Sequence, residues 1–215
     1  MINDDLDLKR ASEILKEDDK EVVLAAVSQC GCALDSASER LKNDKEVVLV
    51  AVRQSGLALQ YANVRLKDDK EVVLVAVRQT WFALQYASVR LKNDKEIVLT
   101  AVSQCGWSLD YASDKLKDDE EIVLAAVNQS VFSLEYASIR LKDNKKVVLV
   151  AVKECGLALN YASDKLKDDE EIVLTAVNQN AFALEYASIG VRGKVYSGLR
   201  HEISDLLRGL SENDK

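Results

Sequence analysis

The chain has 215 residues, 48% of them hydrophobic and 30% charged, with no proline and only eight glycines, which describes a folded, helix-rich protein and excludes a disordered linker. Its formal net charge of −7 argues against phosphate backbones as the main partner, since non-specific nucleic-acid affinity comes from Lys and Arg. No apolar run approaches the roughly 18–20 residues of a membrane span, and the acidic start Met1-Ile2-Asn3-Asp4-Asp5 is unlike a signal peptide. The expectation is an intracellular, cytoplasmic protein without a membrane partner.

The organisation is repetitive. Residues 1–14 form a half unit: Leu8, Ala11 and Ser12 match the second half of the repeat, and Arg10 takes the place of its Tyr, as suits a polar N-terminal cap. Residues 15–190 contain seven copies of a 25-residue unit. The first starts at Leu15 and carries one extra acidic residue in Glu17-Asp18-Asp19; the others start at Leu41, Leu66, Leu91, Leu116, Leu141 and Leu166. Unit positions are counted from these leucines. Residues 191–215 keep Val191 in register and then read as one amphipathic closing helix through Val195, Leu199, Ile203, Leu206, Leu207 and Leu210.

Each unit predicts two helices. The first opens at an acidic cap, Asp68 with Glu71 three residues on, repeated at Asp118/Glu121 and Asp168/Glu171. It ends near Gly56, Gly106 or Gly156, where a left-handed C-cap is easiest. Being apolar nearly all round, it should be buried between its neighbours. The second helix, such as Leu57 to Lys67, directs Ala58, Leu59, Ala62 and Leu66 inward. The run Val72-Val73-Leu74-Val75-Ala76-Val77 is also strand material, as in leucine-rich repeats. The acidic caps, the Ala in every copy and the missing Asn ladder favour helix. The fold expected is therefore all-α: an α-solenoid, or superhelix, of seven helical hairpins with a cap at each end.

A longer period lies above the short one. Units 91–140 and 141–190 match as a 50-residue pair, and 116–140 differs from 166–190 at five positions. Charge is uneven: 41–65 and 141–165 each sum to +2, whereas 116–140 and 166–190 sum to −3 and −4. Cys30, Cys32, Cys105 and Cys155 make no disulfide framework and read as reduced, half-buried small hydrophobes.

Variation is concentrated on the outer face of the second helix. Position 17 reads Cys32, Leu57, Phe82, Trp107, Phe132, Leu157 and Phe182. Position 24 reads Glu39, Val64, Val89, Asp114, Ile139, Asp164 and Ile189. Between them runs a ladder of Tyr61, Tyr86, Tyr111, Tyr136, Tyr161 and Tyr186. Large aromatic and apolar side chains favour binding hot spots, so these rows could form a groove for a helix or extended peptide. The competing reading is that they fill gaps between adjoining units. Position 13 varies too (Ser28, Arg53, Arg78, Ser103, Asn128, Lys153, Asn178) and reads as a solvated edge. The glutamines at position 14 are expected to bond turn carbonyls or one another.

Catalytic constellations are nearly absent. His201 is the single histidine, no nucleotide-binding glycine motif occurs, and the acidic turns lack the spacing of a calcium loop. No cofactor or metal is expected.

The string Leu74-Val75-Ala76-Val77-Arg78-Gln79 with Ala83-Leu84-Gln85-Tyr86-Ala87-Ser88 resembles the repeats of domain-of-unknown-function family 4116, over about residues 15–190. Units at 66, 116 and 166 depart from it, with Trp81, Val131 and Ala181 at the turn glycine. Such repeats occur in protists, large DNA viruses and bacteria living inside eukaryotic cells. The resemblance implies tandem helical repeats and an interaction role facing a host, with delivery into a host cell as an alternative location. The function expected is a non-enzymatic scaffold for a protein or peptide, bound at Leu57, Phe82, Trp107, Phe132, Leu157, Phe182, Val64, Val89, Ile139 and Ile189. The alternatives are a modular nucleic-acid binder reading through position 13, and a self-associating array.

Overall fold

A computed structural model of the chain describes residues 18–198. The N-terminal half unit, His201 and most of the closing helix lie outside the described residues. Every regular element among the described residues is helical, including 72–77, so the strand alternative is excluded. The chain divides into two compact units, Met1–Tyr136 and Ala137–Lys215.

The first unit contains the ten-residue helices Lys20–Gln29, Lys45–Gln54, Lys70–Gln79, Lys95–Gln104 and Glu120–Gln129; each packs on the next. The second contains Lys145–Glu154 packed on Glu170–Gln179, followed by a helix running from 189 to 198. Both are stacks of tandem helical repeats. In Lys45–Gln54 the side chains Val47, Val48, Ala51 and Val52 are fully buried, and the outer residues Arg53 and Gln54 are exposed. The helix is thus one-sided rather than buried all round. Each Val or Leu so buried contributes about 1.5–3 kcal/mol.

The expected second α-helix is two shorter elements. Gly56–Tyr61 is a 3-10 helix, closed by bonds from Ala58 N–H to Ser55 O (2.9 Å) and from Ala62 N–H to Leu59 O (3.2 Å). Ala62 and Asn63 are then extended, and Val64–Lys67 forms a single α-turn. The same division recurs in the other repeats, with a 3-10 turn at Leu91–Asn93 in place of the α-turn. The cause lies at position 23. Its Ser or Asn caps the last turn, as Ser88 does by accepting from Leu91 N–H at 3.2 Å, and a capping residue is extended rather than helical.

Two further expectations are corrected. The N-cap of each long helix is the second residue of its Asp/Asn pair, Asn144 for Lys145–Glu154; Asp69, not Asp68, accepts from Glu71 N–H at 3.0 Å and Val72 N–H at 3.2 Å. Asp119 and Asp169 cap in place of Asp118 and Asp168. The turn glycine is not a left-handed cap either, since no glycine among the described residues has positive φ. Ser55, Thr80, Cys105 and Asn180 end their helices in the same extended conformation, whether Gly56, Trp81, Gly106 or Ala181 follows. Glycine is there for clearance. A Cβ on Gly56 would lie 2.3 Å from the Ala76 carbonyl oxygen of the next repeat, and Gly31, Gly106 and Gly156 approach Ala51, Ala126 and Ala176 as closely.

Polar bonds fix the register between neighbours. Ser88 N–H donates to Lys67 O at 2.9 Å, and Ser113 N–H to Lys92 O at 3.0 Å. Lys45 Nζ bridges Asp69 (2.7 Å) and Glu71 (2.9 Å), and Lys20, Lys70, Lys95 and Lys145 repeat that fork. In the last repeat the charges are exchanged, with Glu170 meeting Lys194 at 3.4 Å. Such exposed pairs contribute about 0–1 kcal/mol each and chiefly specify which residues face one another.

Candidate functional site

The outer surface is built by the 3-10 segment and the α-turn that follows it. Position 24 is the first residue of that turn. Its apolar copies are left uncovered: Val64 is 77% exposed, Val89 83%, Ile139 86% and Ile189 82%. Val64 and Val89 belong to the first unit, Ile139 and Ile189 to the second.

Position 17 is divided. Leu57, Trp107, Phe132 and Phe182 are exposed, whereas Phe82 and Leu157 are half-buried. Phe82 meets Tyr111 of the next repeat edge-on, with ring centroids 5.6 Å apart, and Trp81 meets Phe82 the same way at 5.2 Å. Trp107 donates its indole N–H to Ser130 Oγ at 2.8 Å. The tyrosines are half-buried. Burial pushes the Tyr61 phenol up, aided by Asp35 and Cys32 of the preceding repeat and Tyr86 of the following one. The Tyr ladder therefore fills the spaces between repeats, and position 17 lies on its rim. Phe182, 71% exposed, is followed by no described tyrosine at the equivalent place.

Position 13 is exposed in all seven copies. The glutamines do bond backbone of the preceding repeat: Gln54 Nε2 donates to Gln29 O at 3.2 Å and Gln179 Nε2 to Glu154 O at 3.1 Å. All four cysteines are free; Cys105 and Cys155 are half-buried as expected, but Cys30 and Cys32 are exposed.

The surface also carries two lysines without an anion among the described residues. The lysine at position 2 folds back on an acid of its own neighbourhood in two repeats: Lys42 meets Glu39 at 3.3 Å and Lys117 meets Asp110 at 3.7 Å. Lys67 and Lys92 have neither acid. Val64 and Val89 stand at the Glu39 place, and Gln60 and Gln85 at the Asp110 place. Both lysines are half-buried with no carboxylate in ion-pair range among the described residues, and desolvation holds their ammonium groups below the usual lysine range. The signal lay in the paired absence of acids at positions 20 and 24.

In the second unit a shallow groove of about 430 Å³ is lined by Asp164, Lys167, Tyr186, Ile189 and Arg192. Ser188 N–H donates to Lys167 O there at 2.9 Å, the same bond as Ser88 to Lys67 in the first unit. Val64, Lys67, Tyr86, Val89 and Lys92 are the matching residues, 100 positions earlier.

Among the described residues no group of His, Cys, Asp and Glu is placed to hold a metal, and no helix is long and apolar enough to cross a membrane. No curated protein and no solved structure matches the chain. A family model does, at residues 19–67, 51–92, 69–115, 94–142 and 144–190, successive matches in tandem along the array. The chain belongs to the family described as Domain of unknown function (DUF4116).

Proposed function

We propose that this protein is a non-enzymatic repeat scaffold that binds a protein or peptide through positions 17 and 24 of its repeats. The observation that carries this is the position-24 row. Within an otherwise constant string, four copies place Val or Ile there at 77–86% exposure, and the remaining copies carry Glu39, Asp114 and Asp164. Isolated exposed apolar residues are ordinary, but aliphatic side chains recurring at one structural position beside half-buried aromatics have the composition of a contact surface. Their exposure also means that fold stability does not require them.

The test is selection of a random peptide display library on the wild-type protein, followed by titration against the variant V64S/V89S/I139S/I189S. Ligands should be recovered that lose at least about tenfold in affinity, equal to about 1.4 kcal/mol, on a variant with unchanged helicity. Recovery only of ligands indifferent to the four substitutions overturns the reading. Nucleic-acid recognition through Arg53, Arg78 and Lys153 is the rival, and oligonucleotide binding that weakens steeply with salt would favour it.

A further inference from the structure

We propose that the surface formed by repeats two to four, around Val64, Lys67, Val89 and Lys92, binds an extended acidic peptide that presents apolar side chains between its carboxylates. The proposal rests on the scaffold reading above and names the chemistry of its partner.

Two other position-2 lysines find an acid within the chain, Glu39 for Lys42 and Asp110 for Lys117. At Lys67 and Lys92 both acid positions are occupied by uncharged residues. Neither lysine has an ion pair among the described residues, although half of each is removed from water. A half-desolvated cation without an anion costs free energy that an incoming carboxylate recovers. The neighbouring arginines are already engaged: Arg65 Nε donates to Asn43 Oδ1 at 3.0 Å and Arg90 Nε to Asp68 Oδ1 at 3.0 Å. The open charge is therefore confined to the two lysines.

The apolar component is adjacent. Val64 and Val89, 77% and 83% exposed, begin the turns that end at Lys67 and lead to Lys92. The bond from Ser88 N–H to Lys67 O, 2.9 Å, ties the end of one turn to the start of the next, so the order across the surface is Val64, Lys67, Val89, Lys92. The second unit has the comparable groove, but there Asp164 replaces Val64 and adds a carboxylate of the protein's own. The groove of the second unit thus carries an internal acid at a place where the surface around Val64 carries none.

Spacing selects the ligand. Packed neighbouring helices lie about 8–10 Å apart, so the two lysines are separated by roughly one such step. A polyproline-type extended chain advances ~3.1 Å per residue with three residues per turn, placing side chains i and i+3 on one side about 9 Å apart. Carboxylates at every third residue match Lys67 and Lys92, and the intervening residues reach Val64 and Val89. A nucleic-acid strand fits less well, because the two cations alternate with exposed valines on a chain of net charge −7.

The experiment uses the full chain and labelled short peptides with glutamate at every third position and leucine or proline between. Control probes replace glutamate by glutamine or by lysine, and a further probe is single-stranded DNA of mixed sequence. The glutamate peptide should bind, weaken with salt, and lose at least about tenfold on K67Q/K92Q and on V64E/V89E. The second variant supplies the internal acid that Lys42 already has. K42Q should bind as the wild type does, and circular dichroism should show every variant folded. Equal binding of the glutamine peptide, indifferent to K67Q/K92Q, overturns the acidic assignment; if that binding still falls on V64S/V89S, the scaffold reading survives. Tighter binding of DNA than of the glutamate peptide overturns the proposal in favour of a nucleic acid. Binding of no probe overturns it as well, and the display selection then decides the scaffold reading separately.

Discussion

Two junctions between repeats, one at Gly156 in the second unit and one at Trp81 in the first, are built from nearly the same string and close differently. At Gly156 the glycine brings its backbone so near the next helix that a Cβ would lie 2.2 Å from Ala176 O. Its N–H donates to Gln179 Oε1 at 2.6 Å, and Gln179 Nε2 returns a bond to Glu154 O, 25 residues back. At Trp81 the indole lies over Tyr111, with ring centroids 6.5 Å apart and planes 28° from parallel. Lys70–Gln79 and Lys95–Gln104 pack less extensively there than other neighbouring long helices of the first unit. Gln104 Nε2 reaches Val77 O, 27 residues back, at 2.7 Å. One residue thus decides whether a junction closes on backbone contact or is propped open by a ring. The rest of the repeat accommodates either.

Exchanging the two closures gives the largest expected effect. Gly156→Val should lower stability by about 3 kcal/mol, the upper part of the range for overpacking, because backbone rather than a flexible side chain stands in the way. The urea midpoint reads this directly, and a change below about 0.5 kcal/mol would show that the junction has slack. Trp81→Ala should cost somewhat less, about 2–3 kcal/mol, since the ring is only half-buried. Trp81→Gly should recover part of that loss if the junction can then close as Gly156 does. Gln104→Ala should cost about 1 kcal/mol, and a double-mutant cycle with Trp81→Gly tests whether the shifted bond depends on the ring.

The charge forks carry the pH dependence of both junction types. Desolvation pushes the carboxyls of Asp44, Asp69, Asp94 and Asp119 up, but the lysine bond and the two cap amides together hold them below the usual range. Their contribution is present above the unfolded value of about 3.9 and disappears as pH falls through the lower folded value. Lys20, Lys45, Lys70, Lys95 and Lys145 are raised by their bonds to Asp and Glu. Their contribution is present below about 10.4 and disappears as pH rises through the higher folded value. Thermal midpoints should therefore be level from about pH 5 to 10 and fall on both sides. Lys67 and Lys92 have the opposite sign. Their folded pKa is lowered, so the charged form carries a penalty at neutral pH, and K67Q/K92Q should not destabilise the fold.

The smallest expected effect is at the surface. Val64→Ser with Val89→Ser should shift stability by no more than about 0.5 kcal/mol, because both side chains are already in water. By contrast, alanine at Phe82 removes ring contacts with Trp81 and Tyr111 and should lower the melting temperature. Binding tests at position 17 therefore need Trp107, Phe132 or Phe182 rather than Phe82.

The 25-residue period, the helical long element and its inward Val, Ala and Leu were legible in the sequence, because each follows from local spacing. The exposed residues at position 24 were legible too, since the inward stripe assigns the opposite face to solvent. The broken second helix was harder to see. Ser88 reads as one more polar residue in a helical pattern until its hydroxyl is found capping Leu91. A choice between Asp68 and Asp69 as cap likewise turns on one residue of phase, and Asp68 is used instead by Ser88 and Arg90 of the next turn.

By itself the sequence determined that this protein is a tandem array of helical repeats with one constant and one variable face, because periodic burial needs only the order of residues. Tertiary structure decided why the glycines are there, which acid caps which helix, and which lysines lack an anion. The glycine clearances depend on distances to a neighbouring repeat, which come into being only when repeats stack, and the caps and lysine pairings depend on the path the backbone takes between helices.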